Sequence, residues 1–484
     1  NLIKSSLNDA DKSLINAALF NPLHTKLAAL RGLIEAFDFN LVQNDQLDKW
    51  KLLIERIIQL AFSASHKVAL IVCNESPEGH LPMDCEPIDE NLIKRLGQSD
   101  IGLVKRRCIT SQMLLICGWK TIKESALILG RLCSNIKHEE KGPLLNCSQV
   151  RLIIKYFVTS LKELVHRGAF EQAYSGFSLV VQNLWTASCS CFKYVEILLQ
   201  QIISDLESQT SAENIIITTR RSGGLPYMIQ AIVSSEPAEN QNKYLNMTIC
   251  RLIKICRLPS VQEWQLIHAF NILTSLIKDH RLSNRMTDHY ESCLILCIEM
   301  VNSSSYAVAN AICINFVALL NKIFGATGLM EPRKNLMSAR QFFLRFPNLM
   351  QIILNKLKDQ SRNTFLVLLL ISRLQPSSRD SDFQLNRLIP HLQIICSMCP
   401  SFSNREYAAR VISQIVCNSE SLFTSTMLNY LDELCKNELT TNARHGIYLI
   451  IYESVQIVTQ SFLLKVSPKI LHRFHDDLNL LRQK

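Results

Sequence analysis

The sequence predicts an all-α fold: an α-solenoid of armadillo/HEAT-like helical repeats. Three observations carry that expectation. Apolar residues recur every three or four positions along almost the whole chain, the helical period. Gly and Pro number 14 each in 484 residues, about 3% apiece against an average usage of roughly 7% and 5%. No stretch shows strand-like alternation over a useful length. Many helices with short connections cannot form one bundle, but stacked helical pairs bury a continuous core at any length. No fixed period is readable, which favours degenerate HEAT-like units over ankyrin or tetratricopeptide repeats.

Taken in order, Leu27–Phe37 and Trp50–Phe62 are the first amphipathic segments. Residues 74–97, NESPEGHLPMDCEPIDENLIKRLG, break the pattern with Pro, Gly and acids and read as a loop. In the next helix Trp119, Ile122, Ala126, Leu129 and Cys133 form one stripe, with Lys120, Glu124 and Arg131 off it. Lys120, Lys123 and Glu124 read as an exposed i,i+4 arrangement. Segments follow at Val150–Val165, Ala169–Trp185, Phe192–Leu206, Tyr227–Ser234, Leu245–Arg257, Gln262–Lys278, Glu291–Val301 and Tyr306–Phe324. The run NIIIT, Asn214–Thr218, is the best strand candidate and still reads as helix. After a break at Met330–Lys334, helices are expected at Phe346–Leu357, Thr364–Leu374, Leu385–Cys399, Glu406–Val416, Met427–Cys435, Ala443–Val458 and Phe462–Leu481. The implied organisation is N-terminal repeats over 1–75, a polar loop over 76–98, a core repeat region over 99–330 and C-terminal repeats over 331–484.

Composition narrows the function. The 48% hydrophobic and 19% charged content is globular. A net charge of +10 permits an acidic partner such as RNA without demanding one. Seventeen cysteines, many inside apolar runs, read as reduced, buried thiols of a cytosolic or nuclear protein, with the cytoplasm the expected location. Cys396 and Cys399 form a lone CxxC without the second ligand pair a zinc site needs. The longest apolar run, Phe365–Ile371, is far short of a membrane span of about 20 residues, and no signal peptide is visible. The chain opens on Asn1, so it reads as a fragment or processed segment. Nucleotide-binding loops, HExxH and the GxSxG elbow are absent. His268 and His445 sit in apolar helical runs and read as hydrogen-bonded, partly buried residues. No catalytic residue, cofactor or metal is expected, and an extended helical array is more suited to binding macromolecules.

One stretch stands out in a glycine-poor chain: Arg220-Arg221-Ser222-Gly223-Gly224-Leu225-Pro226. Pro fits the first turn of a helix, where its missing N–H has no partner to lose. It pushes Leu225 out of the helical region, Ser222 can cap, and both glycines can take conformations closed to other residues. A helix is then expected from Tyr227 onward. The unpaired N–H groups at its start, beside Arg220 and Arg221, suit a phosphate or carboxylate. The alternative is a helix–helix corner whose arginines pair with neighbouring acids. Lys105-Arg106-Arg107 precedes an apolar helix and reads as a solvated face or a second contact.

Several stretches together resemble one family. SPEGHLPMD (Ser76–Asp84), SQMLLICGWKTIKESALILGRL (Ser111–Leu132), HRGAFEQAYSGF (His166–Phe177), RRSGGLP, HAFNILTSLIKDHRL (His268–Leu282), ARQFFLRFPNL (Ala339–Leu349), NREYAAR (Asn404–Arg410) and NARHGIYL (Asn442–Leu449) are similar, in order, to signatures of the THADA family. The family usually has alanine where Gly223 stands. Near Ser304–Phe316 it usually shows a Trp and an Arg-Asn pair, where this chain has Tyr306, Ala309 and Asn310. Its members are longer, so this chain would correspond to a central portion. The resemblance implies a non-catalytic helical scaffold that partners an FtsJ-type methyltransferase in 2′-O-methylation of the tRNA anticodon loop. S-adenosylmethionine would be bound by the enzyme. It makes Arg220, Arg221, Ser222, Gly223, Gly224, Leu225, Pro226, Lys105, Arg106, Arg107, Lys120, Lys123, His166 and Arg167 the candidate tRNA- or partner-binding residues. A different class of function, also suggested by the family, is a protein-only scaffold acting on a membrane partner such as an endoplasmic-reticulum calcium pump, in calcium homeostasis and energy storage.

Overall fold

Polar caps start many of the helices where the apolar period begins. Asn146 and Gln149 form a reciprocal capping box. Ser305, Ser338, Ser401 and Thr440 each accept a hydrogen bond from the backbone N–H three residues on. The computed structural model describes residues 2–73, 111–136, 144–164, 166–186, 191–208, 223–326, 335–359, 364–376, 385–435 and 439–458. The chain divides into two units, Asn1–Arg285 and Met286–Lys484.

The first unit carries α1 (Leu2–Lys12), α2 (Leu14–Phe20), α3 (Leu23–Ala36), α4 (Leu47–Val72), α5 (Ser111–Asn135), α6 (Cys147–Glu163), α7 (Arg167–Trp185), α8 (Phe192–Glu207), α9 (Leu225–Ser234), α10 (Lys243–Cys256) and α11 (Glu263–Lys278). α3, α5, α7, α9 and α11 pack successively side by side as one row. α4, α6, α8 and α10 back them, each packed against the helix that follows it in this series. This is the arrangement of stacked helical pairs. α5 and α7 approach closely: a Cβ on Gly176 would lie 2.5 Å from the carbonyl oxygen of Ala126. That glycine lets the two backbones meet, so two stretches of the family signature pack directly on each other.

The second unit carries α12 (Tyr290–Met300), α13 (Tyr306–Phe324), α14 (Ala339–Arg345), α15 (Leu349–Lys358), α16 (Phe365–Ile371), α17 (Ile389–Met398), α18 (Phe402–Val416), α19 (Glu420–Leu434) and α20 (Thr441–Ile457). α17, α18 and α20 pack mutually, and α16 joins α18. The buried guanidinium of Arg405 ties this group together, donating to the carbonyls of Cys399 (2.6 Å) and Pro400 (3.0 Å) and to Nδ1 of His445 (3.3 Å).

The all-α helical-repeat class is thus realised, with local departures. Leu374 is not the end of a helix: with Gln375 it pairs in parallel to Met337–Ser338, because α16 stops at Ile371. α14 is a separate helix capped by Ser338, and Phe346 ends it rather than starting the next one. α1 and α2 precede the first segment that the apolar period marked. The division at Arg285–Met286 falls inside the stretch read as one region. No Gly or Pro marks it, only the short turns His280–Leu282 and Thr287–His289. One helix among the described residues, α13, is long and apolar enough to cross a membrane, but more than half of the tested window is buried in the protein.

Candidate functional site

The residues of the RRSGGLP stretch divide sharply. Arg220, Arg221 and Ser222 lie outside the described residues, as do Lys105, Arg106 and Arg107, the polar loop and Asn214–Thr218. Gly223 takes the left-handed conformation, φ +53°, with nothing near its missing Cβ. Gly224 does not: its φ is −79°. Its role is steric, since a Cβ there would lie 2.0 Å from the carbonyl oxygen of Leu161 at the end of α6. The helix begins at Leu225, two residues earlier than expected, with Pro226 in its first turn. Leu225 is therefore helical rather than extended. Gly224, Leu225 and Pro226 are all buried, so they pack the corner and present little to a ligand. The side chain that reaches solvent is Tyr227.

Tyr227 gathers the other signatures around it. Its ring stands edge-on to Phe170 (4.8 Å between centroids) and to Tyr174 (5.2 Å), both from α7. The Tyr174 hydroxyl accepts a hydrogen bond from Nη2 of Arg281, at 3.1 Å. Arg281 also grips Asp279, Nη2 to Oδ2 at 2.7 Å and Nε to Oδ1 at 3.1 Å. Burial pushes the Asp279 carboxyl up, but hydrogen bonds from Arg281 and Gln230 outweigh it, and its pKa falls below the ordinary value. Gln230 of α9 donates to Asp279 at 2.9 Å and closes the ring of contacts. Residues from HRGAFEQAYSGF, from the turn after α11 and from the helix opened by RRSGGLP thus form one surface, with Arg167, Tyr174, Tyr227, His280 and Arg281 at its exposed side.

The remaining candidates separate. His166 is buried: its Nδ1 accepts from the backbone N–H of Ala169 at 3.2 Å, its backbone N–H donates to the carbonyl of Val72, and its ring stacks on Trp119. It caps α7. Arg167 is exposed and paired with Glu171 at 2.8 Å. Lys120 and Lys123 are half-buried, and Glu124 is not the exposed partner expected of it. It is buried and holds Nε of Arg31 at 2.6 Å, because α5 is covered by α3 on that side. Lys123 lies 3.9 Å from it.

His445 accepts from Arg405, as a hydrogen-bonded helix histidine should. His268 departs from that expectation. It is buried in α11 edge-on to Trp264, its Nδ1 finds no partner among the described residues, and burial pushes its pKa down to about 4. Cys396 is buried and pushed up to about 12, a protonated thiol, mainly by desolvation. Among the described residues no three His, Cys, Asp or Glu side chains come together as a metal site would require. The Tyr174–Tyr227 contact was not foreseen. Both tyrosines stand in the quoted stretches, but only the packing of α7 against α9 brings them together.

Comparison with known proteins gives these contacts a context. The family model described as THADA/TRM732, DUF2428 matches residues 52–307, and the one described as Trm732, C-terminal TPR repeats matches residues 310–454. The second description names tetratricopeptide repeats where the sequence reading favoured HEAT-like ones. A dog protein named tRNA (32-2′-O)-methyltransferase regulator THADA is 28% identical over 524 residues, covering 95% of this chain and 27% of the relative. The human protein of the same name is 27% identical over the same length and the same shares. The fission yeast Schizosaccharomyces pombe regulator trm732 is 25% identical over 511 residues, 98% of this chain and 32% of its own length. The chain therefore spans about a third or less of these relatives. Their names make them regulators of a methyltransferase, not the enzyme.

Proposed function

The chain belongs to the THADA/TRM732 family, and on that premise we propose that it acts as a non-catalytic scaffold in tRNA anticodon-loop 2′-O-methylation, beside an FtsJ-type methyltransferase in the cytoplasm. In this reading S-adenosylmethionine and the chemistry belong to the enzyme, and the chain presents tRNA, holds the enzyme, or does both. The observation that carries the reading is the meeting of three separate signatures at Tyr174, Tyr227 and Arg281. Rings beside cations suit unpaired bases and phosphates, because every base has a face to stack and every phosphate a charge to meet. Arg220 and Arg221, three and two residues before Gly223, are proposed as further contacts to tRNA or to the enzyme. A shape-based choice of tRNA fits a sequence-blind contact of this kind.

Reconstitution tests it: the chain, its methyltransferase, labelled S-adenosylmethionine and tRNA, with Arg220→Ala/Arg221→Ala as the comparison. Methylation that depends on the chain and falls in the double variant supports both the scaffold and the arginines. Dependence that ignores the variant keeps the scaffold and reduces the arginines to a structural corner. Methylation indifferent to the folded chain defeats the reading and favours a protein-only scaffold with a membrane partner.

A further inference from the structure

We infer that the solvent stripe of α6, joined by Lys193 next in sequence to the Tyr194 that Arg151 stacks on, is a contact surface for the sugar–phosphate backbone of RNA, separate from the Tyr227 surface. The inference rests on the tRNA partner proposed above. Arg151, Lys155 and Lys162 are spaced i, i+4 and i+11. On an α-helix these positions fall within an arc of about 40° and span about 16 Å. All three are exposed, as is Lys193. The nearest acid on the helix, Glu163, lies about 80° further round the axis than Lys155.

No carboxylate among the described residues pairs with these cations, and three of them fall in one line on a single helix. Among the described residues Arg31, Arg131, Arg251, Arg281, Arg285 and Arg410 are each held by Asp or Glu. Arg151, Lys155, Lys162 and Lys193 make no such pair with a described residue. The Arg151 guanidinium sits instead 4.1 Å over the ring of Tyr194, on the next helix of the same row. Stacking there orients the group without consuming its charge, leaving N–H donors for a phosphate. Lys is depleted in protein–protein interface cores, whereas a line of cations without interleaved acids suits a polyanion.

The test is the salt dependence of binding between the full chain and an in-vitro-transcribed tRNA, followed from about 50 to 200 mM salt. The variant is Arg151→Gln/Lys155→Gln/Lys162→Gln/Lys193→Gln, whose exposed positions leave the core intact. A control removes equal charge elsewhere: Lys4→Gln/Lys12→Gln/Lys49→Gln/Lys51→Gln, on or beside α1 and α4. The expected result is a salt slope shallower by about 3 in the stripe variant, with the control unchanged. Equal slopes in wild type and stripe variant overturn the inference, as does an equal loss in both variants or a wild type with no affinity for tRNA. Loss of methyltransferase association at unchanged tRNA slope would assign the stripe to an acidic protein surface and also overturn it. Chain-dependent methylation is scored separately: its persistence beside an unchanged slope leaves the proposed function standing while this surface fails.

Discussion

Arg281 donates a hydrogen bond to the hydroxyl of Tyr174, 107 positions earlier in the chain, while the same guanidinium clamps the carboxylate of Asp279. The two residues belong to different signatures, and their contact fixes the turn after α11 against the exposed edge of α7. The clamp sets one side of the surface on which Tyr227 stands.

Removing it should therefore loosen that surface specifically. Arg281→Ala leaves Asp279, 5% exposed, with Gln230 but without its cation. The expected cost is about 1–2 kcal/mol, less than for a wholly buried pair because Arg281 is itself over a third exposed. The Asp279 pKa lies below its ordinary value. Its contribution is therefore present above the unfolded-state pKa of about 3.9 and lost as pH falls through the folded value. Urea denaturation at neutral pH and near pH 3 should show the gap between wild type and variant narrowing in acid; a constant gap would deny the ion pair its role.

The paired glycines should differ in what they tolerate. Gly224→Ala drives a Cβ into the carbonyl of Leu161, a backbone atom that cannot rotate away, so a loss of about 2–3 kcal/mol or more is expected. Gly223→Ala meets no atom within 4 Å and faces only the strain of φ +53°, about 1 kcal/mol. Alanine at this position in the resembling signature accords with that. Thermal melts of the two single variants decide the matter: equal losses would mean that the contact with α6 is not what demands Gly224.

This pair also shows where sequence reading stops. Apolar spacing located most helices, because a buried stripe must recur with the helical period whatever it packs against. The left-handed Gly223 and the early Pro226 were readable from local backbone chemistry. The reason for Gly224 was not, since Leu161 stands 63 residues earlier and only the stacking of α6 on α9 brings it near. Glu124 misled for the same reason: its neighbours in sequence are lysines, but its partner is Arg31, 93 residues away. Tyr227 looked like the first apolar residue of a helix, and only the approach of Phe170 and Tyr174 makes it part of a surface.

Glu236 illustrates a buried charge that sequence spacing also hides. Its carboxylate accepts the N–H groups of Tyr244 (2.8 Å) and Leu245 (3.2 Å) at the start of α10 and holds Nη2 of Arg285 at 2.7 Å. The side chain has no exposure. Glu236→Ala should cost about 3–5 kcal/mol, because it strands both N–H donors and leaves a mostly buried guanidinium with the neutral Asn242 oxygen in place of a carboxylate. Glu236→Gln, which retains an acceptor, should lose less. Chemical denaturation of both variants reads this order directly, and a reversed order would remove the carboxylate from the cap.

His268 gives the first unit a built-in acid sensitivity. Burial lowers its folded pKa to about 4 from an ordinary value near 6.5, so the unfolded chain takes up a proton in a range where the folded chain does not. Stability should therefore rise with pH between about 4 and 6.5, and this one group accounts for about 3 kcal/mol across that window. The sign follows from the neutral form being the one the core accepts. His268→Phe keeps a ring against Trp264 and removes the unpartnered Nδ1, so it should flatten the pH dependence with little loss at neutral pH. Denaturation midpoints taken at half-unit steps from pH 4 to 7 measure the slope for both proteins. Parallel slopes would show that the acid sensitivity arises from other groups.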